Sequence, residues 1–408
     1  MTAIHDKNKV LGLYRGWWAT VAAFFMAFFA WGTIFYGNGF YIRVLSQEHG
    51  WPVASLSVAV GFSYFVGIPA TLVIGRVIDR VGTRWVAVTG ALLLASGITA
   101  LAHVQAIWQV AAAYIMIGVG YPCMATITVS STLIPWFQRR LGLALGLALT
   151  GASIGGMSIV PVMALVTERY DFATAASGTS LAILAITLPL VLLMVRQPRN
   201  GEVMKAEAVT PKFADDETQN VSYRQFLRNL DFWRITIGSS LALAAQVGFL
   251  THQIPALEES LDITAAAFAV SITAGSAIIG RFALGWSASR APLYLLAIIC
   301  YGLQAIALVL IAQGGGLFYL YAASAIGGVV VGAIVMLPPL LLSDAFGSQV
   351  YGTAYGLTNI GMFLSVTLAV AAAGYLRDLQ GDYVLVFYTL AALHLAAMAV
   401  MVLGGRKG

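Results

Sequence analysis

Residues 75–84 read Gly75-Arg76-Val77-Ile78-Asp79-Arg80-Val81-Gly82-Thr83-Arg84, a polar turn between two long apolar runs. Residues 285–290 read Gly285-Trp286-Ser287-Ala288-Ser289-Arg290, so Gly-x-x-x-(Asp/Ser)-Arg recurs 210 residues later. The same offset carries Gly118 to Gly328, Gly142 to Gly352, Gly146 to Gly356 and Gly151 to Gly361. One offset close to half the chain, shared by separate helical stretches, marks a duplicated half.

The surrounding sequence fixes the medium of that duplication. Hydrophobic residues make up 60% of the chain and charged ones 10%, whereas a soluble domain carries about 25% charged residues. Twelve apolar runs are close to or above the roughly 20 residues that cross a bilayer. They are Trp17–Tyr36, Val53–Ile74, Trp85–Ala102, Trp108–Ile134, Leu141–Val166, Ala173–Val195, Phe232–Leu250, Ala265–Trp286, Leu293–Ala312, Leu317–Leu342, Thr353–Leu376 and Tyr383–Leu403. The first is long and rich in Trp and Phe, without a small-residue cleavage site, and reads as a retained span. The expected fold is an all-α membrane protein of 12 transmembrane helices in two pseudo-symmetric six-helix bundles. Its segments are an N-terminus over 1–16, a first bundle over 17–195, a polar linker over 196–230, a second bundle over 231–403 and a tail over 404–408.

Lys and Arg set the orientation. With the N-terminus inside, inner segments hold 18 of the 22, outer segments hold only Arg43, Arg169 and Arg377, and Arg281 lies within a span. The positive-inside rule then puts both termini in the cytoplasm, with the chain in the inner membrane. The basic residues act as loop-end topology signals, so no nucleic-acid partner is implied. Cys123 and Cys300 both fall in apolar runs and offer neither a disulfide framework nor a thiol–metal motif. There is no phosphate loop, zinc spacing or nucleophile triad, and no cofactor is expected.

Arg281 is the residue that composition does not explain. A guanidinium at a helix centre costs about 2.5–3.5 kcal/mol on insertion scales, which makes it a functional-site hypothesis. Its planar fork of N–H donors suits a carboxylate. The alternative is a side chain that snorkels to the inner interface.

The 75–84 turn matches the major facilitator superfamily loop pattern G-x-x-x-D-R-x-G-x-R at every fixed position. Gly75 lets helices approach, Asp79 can cap or pair across the boundary of the halves, and Arg80 and Arg84 hold the loop inside. The reading is gating and structural. Tyr36-x-x-Gly39-Phe40, Leu45-Ser-Gln-Glu-His-Gly50-Trp51, Trp136-Phe137-Gln-Arg139-Arg140-Leu-Gly142-Leu-Ala144-Leu-Gly146, Phe232-Trp233 and Gly280-Arg281-x-x-x-Gly285 extend the likeness. Together they resemble the monocarboxylate transporter and oxalate/formate exchanger branch of that superfamily, over essentially the whole chain.

What the resemblance implies is a secondary carrier of small organic anions, commonly moved with a proton or exchanged, working by alternating access. It also implies that an eighth-helix arginine, here Arg281, binds the substrate carboxylate. Two departures narrow this. Ala277 stands where some members carry a proton-coupling aspartate, and Thr353–Leu376 contains no second cation to neutralise a dianion. The cargo expected is therefore a small monoanion.

The remaining candidates are weaker signals. Tyr121 and Tyr36 carry hydroxyls that could donate to an anion, or serve only for packing. His252 lies just past the seventh run and could protonate near neutral pH, or be an interfacial histidine. Asn359 and Ser365 sit at mid-depth on the eleventh run, where helix–helix hydrogen bonding is the plain alternative. The glycines 142, 146, 352 and 356 are expected to give close contact between spans. The function expected is proton symport of a monocarboxylate, with the proton, the anion and the lipid bilayer as partners. Anion exchange is the alternative, a non-transporting receptor a weaker one, and a drug exporter would need a membrane-embedded acid that this chain lacks.

Overall fold

The computed structural model describes residues 9–10, 13–137, 140–198, 228–288, 290–346 and 351–403. Most of the expected linker, the 404–408 tail and Ser289 of the repeated turn lie outside these. Among the described residues, twelve helices are long and apolar enough to cross a membrane, and the chain is an integral membrane protein. In order they are α1 (Arg15–Phe35), α2 (Val53–Val81), α3 (Thr83–Leu101), α4 (Ile107–Leu133), α5 (Leu141–Arg169) and α6 (Phe172–Met194). The second six are α7 (Leu230–Leu257), α8 (Ile263–Ser287), α9 (Leu293–Ala312), α10 (Leu317–Phe346), α11 (Ala354–Gln380) and α12 (Val384–Val402). A short helix, Asn38–His49, follows α1. Two-residue strands β1 (Lys9–Val10) and β2 (Leu13–Tyr14) pair before it. Successive helices alternate in direction between a linker face, where α1 begins and α12 ends, and a far face.

The duplication is visible in matched contacts. Gly118 of α4 lies against Ser63 of α2, where an added Cβ would stand 2.5 Å from the Ser63 carbonyl oxygen. Gly328 of α10 lies against Thr273 of α8 in the same way. Both members of the second pair are 210 residues after those of the first, so helix contacts recur with the sequence. Small residues allow such backbone approach, which membrane helices use in place of a hydrophobic driving force.

Helix breaks recur as well. α4 leaves helical geometry at Ala125, three residues after Pro122. α10 is interrupted between Ile334 and Leu337, just before Pro338 and Pro339, again at an offset of 210. Proline supplies no amide hydrogen to the helical ladder and crowds the preceding turn. The first helix breaks differently: its last turn, Trp31–Phe35, is π-helical, and the chain bends at Tyr36 and Gly37. Its counterpart α7 is an uninterrupted α-helix. π-turns of this kind concentrate at functional sites.

The two halves meet along α2 with α11 and α5 with α8, and where Asn38–His49 meets α7. Toward the far face these seams are closed. A Cβ at Gly61 would stand 2.7 Å from the Thr367 carbonyl oxygen, and Gly374 lies against Ser57. The Ala54 amide donates to the Asp378 carboxylate at 2.8 Å. Ser271 Oγ donates to the Met157 carbonyl at 2.7 Å, and Thr264 to Glu168 at 3.0 Å.

Toward the linker face the same helices part. At Gly75, Gly142, Gly146, Gly285 and Gly356, no atom of a described residue on another helix lies within 4 Å of where a Cβ would be. The expectation that Gly142, Gly146 and Gly356 bring spans into contact is therefore corrected. In this conformation the halves are joined at the far face and splayed at the linker face. On α5 the close contacts fall instead at Gly151 and Gly155, which lie against the backbone of α1 at Phe24 and Phe28.

Candidate functional site

The splay leaves a cavity of about 410 Å³ between the halves. Both matched breaks line it, at Ala125 and Val335, and irregular backbone at membrane depth is tolerated where it borders such a space. Its walls are mostly apolar, with Thr71, Tyr121, Thr126, Tyr355 and Asn359 as polar groups and Trp31 and Phe363 as aromatic ones. Trp31 meets Tyr121 edge-on, with ring centroids 5.5 Å apart at 66°. Of the residues singled out in the sequence, Tyr121 and Asn359 line this cavity.

Arg281 stands apart from that wall, on α8 where the α5–α8 seam begins to open. Its Nη1 donates to the Leu149 carbonyl of α5 at 3.2 Å, and the side chain is half-buried. No carboxylate among the described residues lies within ion-pair distance of it. The side chain crosses to the opposite half at its own depth, and its charge reaches Tyr36 beyond the π-turn of α1. A snorkelling side chain would run about 9 Å along α8 to its linker-face end, which this geometry does not show.

Tyr36 is buried, and its ring fills the gap at Gly156 of α5, which faces Ala274 of α8. Its hydroxyl lies near Ser153 of α5, yet neither hydroxyl finds an aligned hydrogen-bond partner. Tyr121 lies within electrostatic range of Tyr36. Tyr121 belongs to the cavity wall, whereas Tyr36 and Arg281 lie outside its lining.

Other candidates fall elsewhere. His252 is not past the seventh helix but inside α7, fully buried beside Val370 of α11 and 5.7 Å from the Tyr383 ring. The helix continues to Leu257, seven residues beyond the apolar run that suggested an end. Ser365 donates to the carbonyls of Ser240 at 2.9 Å and Met362 at 2.8 Å, so its hydroxyl joins α11 to α7 rather than facing the cavity. In the 75–84 turn, Arg84 Nε donates to the Val195 carbonyl at 2.6 Å within its own half. Asp79 and Arg80 are exposed and form no ion pair among the described residues. Asp79 does not pair across the halves here because the seam is open at that face.

One feature of the far face gave no usable sequence signal. Arg43 of the Asn38–His49 helix spans both oxygens of Glu258, at 2.8 and 2.9 Å, just past the end of α7. Burial pushes the Glu258 carboxyl up; the hydrogen bond and charge of Arg43 pull it down, and Asp262 pushes it up again. Charges flanking spans are common, and nothing in the sequence pairs these two across 215 residues.

Comparison with known proteins places this geometry. A family model described as Major Facilitator Superfamily matches residues 20–370. Monocarboxylate transporter 13 of Bos taurus is 25% identical over 396 residues, covering 95% of this chain and 88% of that protein. The oxalate:formate antiporter of Oxalobacter formigenes is 23% identical over 346 residues, covering 82% and 77%. Among solved structures, the nucleoside transporter NupG superposes with a TM-score of 0.77 at 13% identity, covering 96% of this chain and all of that one. That last likeness concerns the fold alone.

Proposed function

The chain belongs to the Major Facilitator Superfamily and is a transporter rather than an enzyme; from that premise we propose that it carries a small monocarboxylate across the inner membrane by alternating access. The observation that carries this is Arg281: a half-buried cation at the fork of the two halves, held among the described residues by the Leu149 carbonyl alone. A carbonyl oxygen satisfies one N–H and neutralises no charge. A carboxylate would do both through two parallel bonds. The halves open toward the linker face, which in this reading is the cytoplasm, with both termini on that side. The single cation favours a monoanion, and the apolar cavity beside Tyr121 favours an aliphatic or aromatic tail over a polyol.

The segments follow the twelve helices: bundles over 17–195 and 231–403 joined by the 196–230 linker, with the turn of Gly75, Asp79, Arg80 and Arg84 meeting the second half when the linker face closes. In this reading the coupling proton enters with the substrate. His252 is walled off from the cavity, so the cargo's own carboxyl group is the simplest proton carrier, and symport follows without a protein acid.

Uptake of acetate, pyruvate, benzoate and phenylacetate into proteoliposomes tests this, with and without an inward proton gradient. Arg281→Ala is expected to lower uptake about 100-fold or more, the loss of a charge-assisted bidentate pair. Arg281→Lys should recover little of it, because an ammonium lacks the fork. Near-normal uptake by both variants would remove Arg281 from the site. Uptake that demands a preloaded counter-anion, whatever the gradient, would replace symport with exchange.

A further inference from the structure

Ser153 is treated differently from its neighbours on α5. Thr150 donates to the Leu147 carbonyl at 2.6 Å and Ser158 to the Ile154 carbonyl at 2.7 Å. Bonding back to the preceding turn is the ordinary way a helix disposes of a hydroxyl. The carbonyl one turn before Ser153 is that of Leu149, and Arg281 Nη1 already occupies it at 3.2 Å. Ser153 Oγ is fully buried beside the Tyr36 hydroxyl, and among the described residues neither finds an aligned hydrogen-bond partner. A buried hydroxyl with no bond carries its whole desolvation penalty, so such groups call for an explanation.

Two hydroxyls without an aligned bond and a cation with no counter-charge among the described residues lie along one stretch of α5, from Leu149 to Gly156. Ser153 and Tyr36 belong to the first half and Arg281 to the second. The bend of α1 after its π-turn brings Tyr36 there, and Gly156 leaves the room its ring needs. We infer that Ser153 and Tyr36 complete, with Arg281, the head-group site for the transported carboxylate, and that Arg281 gives up the Leu149 carbonyl when the anion arrives. This rests on the reading of the chain as a carboxylate carrier.

The stereochemistry closes. A carboxylate has about four lone-pair sites. The guanidinium fork takes two of them, and the hydroxyls of Ser153 and Tyr36 donate to the others. Leu149 loses nothing essential, since its carbonyl remains within the helical ladder of α5. A direct tie between α5 and α8 is thereby exchanged for a tie through the anion. The cargo then bridges the two halves at their fork, where binding can bias how the halves sit. Ser153 is a positioning and binding residue in this account, and Leu149 is the place where Arg281 waits.

The test compares Ser153→Ala, Ser153→Cys, Tyr36→Phe and Arg281→Ala in proteoliposomes, using whichever of acetate, pyruvate, benzoate or phenylacetate the unaltered protein takes up. Ser153→Ala removes one oxygen from a buried position and leaves helix and volume nearly intact. Its KM should rise about ten-fold with the maximal rate within two-fold, as expected for one hydrogen bond to a charged group. Tyr36→Phe should behave alike, and Ser153→Cys, a weak donor of similar size, should fall between. In an Arg281→Lys background the Ser153→Ala change should add little, because groups that act as a unit are not additive.

An unchanged KM in Ser153→Ala and Tyr36→Phe, with uptake abolished in Arg281→Ala, overturns this inference and leaves the carboxylate reading standing. A fall in maximal rate at constant KM overturns it too, since that is what a structural hydroxyl would give. Uptake of none of the four acids, or uptake indifferent to Arg281, removes the reading and this inference together.

Discussion

The two ends of each seam are built from the same kinds of residue and behave oppositely. On α2 and α11, Gly61 and Gly374 meet the opposing half toward the far face, while Gly75 and Gly356 toward the linker face meet no described residue. On α5, Gly156 is filled by Tyr36 and faces Ala274, while Gly142 and Gly146 stand in open space. The change falls near the level where Arg281 reaches Leu149. A glycine in a membrane helix thus marks a surface capable of close approach; the conformation decides whether that approach is realised. In a carrier that rocks about a central site, the uncontacted glycines are the surfaces left for the other conformation.

The strongest way to break this comparison is to fill a contacted glycine. At Gly61 an added Cβ faces the Thr367 backbone oxygen, which cannot rotate away as a side chain would. Overfilling a close contact costs about 1–3 kcal/mol. Gly61→Val should therefore shift the far-face equilibrium toward opening by roughly ten- to a hundred-fold. A cysteine placed at Ser57, in a background with Cys123 and Cys300 replaced by alanine, should then react with a membrane-impermeant maleimide added at the far face. Protection equal to that of the unaltered seam would show that this contact does not seal it.

A smaller and more discriminating effect is expected at Arg43 and Glu258. Arg43→Ala strands a part-buried carboxylate without its donor, whereas Glu258→Gln leaves the Arg43 cation uncompensated but keeps an amide oxygen that accepts from its Nε. Arg43→Ala should open the far face, and Glu258→Gln should leave it closed. The pH sign follows from the carboxyl itself. Burial raises it above its ordinary value of 4.5 in the closed state, so the closed state takes up a proton more readily than an exposed carboxyl would. Acidification from neutrality toward 4.5 should then favour closure, and that contribution is lost as pH rises through the raised value. The same maleimide assay read across pH checks this, and more reaction at acid pH would reverse the assignment.

The architecture was legible because its causes are local. Apolar length sets the spans, and Lys and Arg mark their ends. The single offset of 210 marked a duplicated half, and contacts such as Gly118 with Ser63 and Gly328 with Thr273 recur at it, since equal sequence makes equal helix surfaces. The site was legible only in part. Arg281 stood out because a cation in an apolar run has a cost that composition cannot hide. Ser153 did not, because one hydroxyl in a glycine-rich helix is ordinary until its own carbonyl is found occupied. His252 was misplaced because apolarity ends at Leu250 whereas helical hydrogen bonding runs on to Leu257. Asn359 and Ser365 share a helix at similar depth, and only the rotation of α11 separates a cavity wall from a bond to Ser240.

The gentlest test addresses the empty end of the comparison. Gly146 and Gly356 face open space here, so alanine at either position meets no neighbour in this conformation. Alanine in a helix interior is favoured over glycine by about 0.8–1.0 kcal/mol, and each variant should be at least as thermally stable as the unaltered chain. If these surfaces close on the opposite half when the carrier turns outward, the added methyls obstruct that state alone. Uptake should then slow by about two- to five-fold, a fraction of the overfilling penalty, while stability holds or rises. A static structural role predicts the reverse pairing, with stability lost and turnover following it. Stability gained with turnover unchanged would mean that the glycines at this end never meet, and that the halves close through other residues.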